Sequence, residues 1–152
     1  MSSSAGKVVA VSVSERKGQK KRPVPSALLR AEHGIEGDAH AGTSGHRQVS
    51  LLGVESADKM RAKGVPVGHG DFAENLTVSG IDLLSLRIGD RLRVGEALLE
   101  ISQIGKECHD RCAIWQQVGD CVMPREGIFG KVVRGGRVAP GDAVAFEPGP
   151  GA

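Results

Sequence analysis

The chain has 152 residues, a net charge of +2 and 22 glycines, against one Trp, three Phe and no Tyr. That length suits one domain burying about two thirds of the surface its unfolded chain exposes, and so mild a charge gives no argument for a nucleic-acid partner. No apolar run approaches the roughly 20 residues needed to cross a bilayer. The start MSSSAGKVVAVSV has no charged segment ahead of a long apolar core, and three cysteines without scaffold spacing point to a reduced, cytoplasmic protein.

Taken in chain order, residues 1–6 read as a flexible start and residues 7–13 (KVVAVSV) as a first strand. A basic run follows, with Arg16, Lys17, Lys20, Lys21 and Arg22 inside seven residues. Such a run is either a solvated loop or an anion-binding lip. Further strands are expected at 47–52 (RQVSLL), 75–78, 91–94, 97–104 (ALLEISQI), 128–133 and 143–146. The 97–104 run sets Leu99, Ile101 and Gln103 against Leu98, Glu100 and Ser102, the period-two pattern of a strand.

Turns are expected at Gly89–Asp90, around Gly95, at Gly135–Gly136 and at Pro140–Gly141–Asp142. Two helices are expected, at 54–63 with Gly64 as a stop and at 108–118. Residues 147–152 (EPGPGA) read as a flexible tail, leaving 7–146 as a single domain. Many short strands punctuated by glycine turns predict a mainly β fold, a closed or partly open β-barrel with a few short helices.

The residues able to carry chemistry cluster in three places. Cys108 and Cys112 stand four apart in KECHDRC, so on a helix both thiols share a face. The cations Lys106 and Arg111 nearby favour the reactive thiolate. Together with His109 and Cys121 they also make four zinc-type ligands, although the spacing is not that of a CxxC knuckle. Second, the stretch GIEGDAHAG (34–42) frames an acid and His40 with glycines, either a loop bringing amides and an imidazole to a ligand or a hydrogen-bonded turn. Third, Arg47, Lys131 and Arg134 lie at strand positions from which a planar guanidinium or an ammonium can meet a phosphate. The Glu74–Asn75 pair either lines a pocket or ties down a turn. No dinucleotide, P-loop, nucleophile-elbow or HExxH signature is present.

In this order, KKRPV-x3-LL, GIEGDAHAG, RQVSLL, GDFAENLTVSGIDL, LRIGDRLRVGEALLEISQIGKEC-x3-C and GIFGKVVRGGRVAPGD resemble the MOSC domain, named for the C-terminal part of molybdenum-cofactor sulfurase, in its short bacterial form. The resemblance covers about residues 8–146. It implies a β-barrel-like fold, binding of the molybdenum cofactor (molybdopterin, a pterin dithiolene with a phosphate), and sulfur transfer or metal–sulfur chemistry. The family's cysteine, a sulfur carrier or molybdenum ligand, matches best to Cys112, with Cys108 the rival; soft thiolate suits both roles.

On this reading Arg47, Lys131 and Arg134 hold the phosphate, and His40, Glu74 and Asn75 line the pocket. The expected function is a sulfur carrier or maturation factor. Its partner would be a pyridoxal-phosphate-dependent cysteine desulfurase or a molybdopterin-handling protein, since this chain is not expected to bind pyridoxal phosphate itself. The alternatives are a molybdenum-dependent reductase of N-hydroxylated compounds and a non-catalytic module that delivers cofactor.

Overall fold

A computed structural model describes residues 5–14, 21–38, 48–62, 74–104 and 127–147. Its strands are β1 (Ala5–Val13), β2 (Arg22–Val24), β3 (Ala27–Arg30), β4 (Gly34–Ile35), β5 (Val49–Gly53), β6 (Leu76–Ser79), β7 (Arg91–Val94), β8 (Ala97–Ile104), β9 (Ile128–Arg134), β10 (Gly136–Val138) and β11 (Ala143–Glu147). One α-helix, α1 (Val54–Ala62), and a 3-10 turn at Leu83–Ser85 complete the described elements. Strand pairing begins at Ala5, opposite Ala145, within the stretch read as a flexible start.

Seven strands close a barrel in the order β11-β7-β8-β9-β5-β6-β1, and β1 returns to β11. Closure depends on the length of β1. Residues 5–7 pair with β11, the middle pairs with β6, and residues 11–13 carry β2 on the edge that β11 has left. A register shift between Val8 and Ala10 supplies the bend that lets one strand serve both neighbours. The described barrel pairs are antiparallel except β5–β6, whose parallel pairing needs a crossover; α1 lies in that connection.

The apolar alternation does what the sequence promises. Val8, Val11, Leu51, Leu76, Leu92, Leu99, Ile101, Ile128 and Val144 meet in one core, each at most 2% exposed. Aliphatic side chains fill a narrow barrel, which accounts for a chain so poor in aromatics.

Four short strands were not expected: β2, β3, β4 and β10. The last three form a second sheet, β10-β3-β4, which buries Leu29, Ile35 and Val138 against the barrel. The expected turn at Gly135–Gly136 is a correction, because Gly136 begins β10 and neither glycine has a positive φ. Their smallness serves close approach. A Cβ on Gly135 would stand 2.5 Å from the Leu29 carbonyl oxygen, and one on Gly136 would stand 2.7 Å from the Glu96 carbonyl carbon. Gly136→Ala is therefore expected to cost about 1–3 kcal/mol, read as a lower midpoint in chemical denaturation.

Gly95, by contrast, is needed for its backbone. With φ +56 it turns the two-residue β7–β8 hairpin, and Ala there would also meet Asp142 Oδ2 at 2.6 Å.

Candidate functional site

The pairing directions sort the strand ends into two rims. β1 and β9 end, and β5 and β6 begin, at one rim. At the other, β8 ends and β9 begins, with Ile104 opposite Ile128. The ten buried polar residues among those described are not spread evenly. All but Ser56, which lies on α1, fall on the first rim or the connections that meet it. They are Ser12 on β1 and Ser14 just after it, Lys21 before β2, Asp38 after β4, Gln48 and Ser50 at β5, and Glu74, Asn75 and Thr77 at β6. Burial of so many polar groups is tolerable only when they bond one another.

Asn75 is the hub of one network. Its Oδ1 accepts from the Ser50 backbone N–H (2.9 Å) and from Ser50 Oγ (3.1 Å), and its Nδ2 donates to the Ser12 carbonyl (3.0 Å). Its own N–H is 2.9 Å from Ser50 Oγ, and the Ser12 N–H donates to its carbonyl (2.7 Å). The side chain therefore ties β1, β5 and β6 together. Next to it, the buried Glu74 carboxylate accepts from Thr77 Oγ1 at 2.8 Å. Ser12 Oγ is buried with no partner.

A second network is ionic. Lys21 Nζ lies 2.8 Å from Asp38 Oδ1, and both side chains are completely shielded from solvent. Lys21 also donates to Ser14 Oγ (3.0 Å), and the Ser14 N–H donates to the same Asp38 oxygen (3.1 Å). One member of the basic run thus belongs to the interior and not to an anion-binding lip. Gln48 completes the rim: its Oε1 accepts from the Val132 N–H (3.0 Å), a β9 donor just beyond the last β5–β9 pair, Val49 with Gly130.

The expected cations on β9 do not converge. Lys131 and Arg134 are three residues apart, which in a strand puts them on opposite faces. Val132 and Ile128 point into the core, so Lys131 is on the outer face, beside Glu100 of β8. Arg134 is exposed at the polar rim. His40, Arg47, Cys108, Cys112 and the expected helix at 108–118 lie outside the described residues, as do Arg16, Lys17 and Lys20.

The attachment points are described, however. The stretch carrying His40 and Arg47 leaves at Asp38 and returns at Gln48, both on the polar rim. The stretch carrying the cysteines leaves β8 and enters β9 at the other rim. There an open cleft of about 290 Å³ is lined by Ser85, Leu86, Asp90, Arg91, Phe146 and Glu147. Among the described residues no cluster of three metal-ligating side chains occurs, and no helix is long and apolar enough to cross a membrane.

Ser14 and Gln48 were not singled out by the sequence, while Lys21 and Asp38 entered only as members of the basic run and of the GIEGDAHAG stretch. Neither the run of five cations nor the glycine-framed stretch says which cation and which acid are buried together.

The MOSC domain model matches residues 36–145, from just before Asp38 into the last barrel strand. The chain belongs to the MOSC domain family. This MOSC domain is 29% identical over 136 residues to the uncharacterized protein YflK of Bacillus subtilis, covering 82% of this chain and spanning only 60% of that protein's length. Among solved structures, the YuaD protein of Bacillus subtilis superposes with a TM-score of 0.77 at 23% identity, covering 92% of this chain and 94% of its own. YiiM of Geobacillus stearothermophilus gives 0.70 at 20% identity, over 93% and 75%. YiiM of Escherichia coli gives 0.63 at 21%, over 93% and 68%. These likenesses carry the fold. The family itself is associated with molybdenum-cofactor binding.

Proposed function

We propose that this MOSC domain binds the molybdenum cofactor at its polar rim and acts as a sulfur carrier or maturation factor, with Cys112, on a connection rooted at the other rim but with enough chain to extend about 25 Å from Ile104, as the sulfur-bearing or metal-facing thiol. The observation that supports the site most is the concentration of buried polar groups at one rim, on the strand ends from which the His40–Arg47 stretch departs and to which it returns. The donor set fits a phosphorylated pterin. Ser12 Oγ is a buried hydroxyl without a protein partner, Glu74 offers a buried carboxylate to the ligand's N–H groups, and Arg134 stands at the same rim for phosphate. His40 and Arg47 complete the set. Lys131, on the outer face of β9, receives no phosphate contact in this assignment, and Asn75 acts by holding the rim together.

When bound, the cofactor supplies a metal that takes soft sulfur ligands and changes oxidation state. The chain's own part is to bind, to exclude water and to present a thiolate. In the carrier role the Cys112 thiolate attacks the terminal sulfur of a persulfide on a donor enzyme such as a cysteine desulfurase. A new S–S bond forms on Cys112, and the donor's S–S bond breaks to leave the donor thiolate.

Intact-mass and molybdenum analysis of anaerobically purified wild type, Cys112→Ser and Cys108→Ser tests this, each before and after incubation with a desulfurase and with free cofactor. The expected result is an adduct of about +32 Da, or bound molybdenum, that is lost in Cys112→Ser and kept in Cys108→Ser. Loss in Cys108→Ser alone would move the role to that thiol. Absence of both signals from wild type after incubation would sink the reading.

A further inference from the structure

We propose that the cleft at the rim where β8 ends binds a small planar molecule by a carboxamide or lactam edge, with Arg91 donating to its carbonyl oxygen and Glu147 accepting from its N–H. The site is separate from the polar rim and stands without the cofactor reading. Its lining residues lie on the start of β7, on the end of β11 and on the segment that leads from the 3-10 turn into β7. At about 290 Å³ it is at the small end of the range for small-molecule sites, roughly 300–1,000 Å³, which suits one ring and its substituent.

The observation that carries the proposal is a pair of unspent hydrogen-bonding atoms. Among the buried side-chain nitrogens and oxygens of the described residues, only Ser12 Oγ, Arg91 Nε and Glu147 Oε2 have no partner. The last two belong to residues that line this cleft and stand directly opposite each other in the β7–β11 ladder, where Cβ atoms are about 5 Å apart. The remainder of each side chain is drawn elsewhere. Glu147 Oε1 accepts from Arg93 Nη2 at 2.8 Å. Arg91 Nη2 leans toward Glu100 Oε2 at 3.8 Å, too far for a hydrogen bond. A donor and an acceptor are left side by side, and a polar group left unmet in the interior is costly.

A carboxamide edge matches that pair, since it sets a carbonyl acceptor beside an N–H donor. A carboxylate would set an oxygen against Glu147, and an amidinium would set an N–H against Arg91. The carboxylates of Asp90 and Glu147 against the one guanidinium of Arg91 also disfavour an anionic ligand. Leu86 and Phe146 supply apolar walls for the ring. The Arg91 and Glu147 side chains are 25% and 32% exposed, so a small turn of each, softest at the terminal torsion of the carboxylate, brings the covered atoms to the ligand.

The test titrates three molecules of one shape, benzamide, benzoate and benzamidine, into the full chain, with backbone amide chemical shifts as the readout. A fragment of this size is expected to bind at about millimolar strength. Benzamide is expected to shift the amides of Leu86, Arg91, Phe146 and Glu147 and to bind about 10-fold or more tighter than either isostere, because each isostere leaves a covered partner unmet. Glu147→Gln sharpens the test. Arg93 still requires an acceptor there, so the side-chain NH2 takes the place of Oε2 and the cleft offers two donors. Benzoate is then expected to overtake benzamide. Glu100→Gln removes the same charge beside the cleft but none of its lining, and is expected to keep the preference for benzamide. Equal binding of the three by wild type, shifts confined to another part of the barrel, or no binding of benzamide overturns the inference. A reversal in Glu100→Gln as well would trace the preference to charge alone and overturn it too. The spectra report the fold of each variant, and the wild-type series decides without them.

Discussion

Lys21→Met alone is expected to lower folding stability by about 3–5 kcal/mol, the usual result of removing one partner of a buried ion pair. The variant leaves the Asp38 carboxylate fully shielded, with the Ser14 N–H as the described donor still facing the shared oxygen. Losing an ammonium at 2.8 Å takes a charged donor away from a carboxylate that water does not reach. The effect is read as a fall in the denaturation midpoint at unchanged slope. The contrast with the double variant K21M/D38L, which removes both charges, gives it meaning. If the double variant is near wild type while the single is crippled, the two changes are strongly non-additive and the coupling belongs to the pair. Breaking the exposed Arg93–Glu147 contact, also 2.8 Å long, is expected to cost about 1 kcal/mol or less. A loss for Lys21→Met as small as that would mean that water solvates Asp38 readily.

Asn75→Ala is the second large effect. It strips the acceptor from the Ser50 N–H and Oγ–H and the donor from the Ser12 carbonyl, all groups of buried residues. Two buried backbone groups losing a partner at about 1–3 kcal/mol each give an expected loss of about 2–6 kcal/mol. Asn75→Asp keeps the acceptor for Ser50 but sets a second acceptor oxygen against the Ser12 carbonyl, so no rescue is expected. Because the amide is spent on the barrel itself, Asn75→Ala held well below its Tm is expected to load cofactor as wild type does. A specific loss of loading in a still-folded Asn75→Ala protein would make the amide a direct ligand and contradict its role as a tie.

Some of this was written plainly in the chain. The seven barrel strands were read from short apolar and β-branched runs, with period two explicit in 97–104, and 91–94 and 97–104 agree with the structure residue for residue. Such runs are legible because neighbouring residues on one strand share the same two environments. The strands at 22–24, 27–30, 34–35 and 136–138 were not legible. Two to four residues are too few to show a period, and Pro23, Gly34 and Gly136 speak locally for turns.

Of the motifs that resemble the MOSC family, Glu74–Asn75 and the two ends of the His40–Arg47 stretch meet at one rim. What no local pattern could decide was the work done there. Asn75 ties three strands together because Ser12 and Ser50, 63 and 25 residues away, arrive beside it. Lys21, alike in composition to Lys20 next to it, is internal because Asp38 comes in from 17 residues downstream. Alternation and turn chemistry act over a few residues and so can be read from the chain. The pairing of buried polar groups exists only once the barrel has closed, because only then are residues distant in sequence shut away from water together.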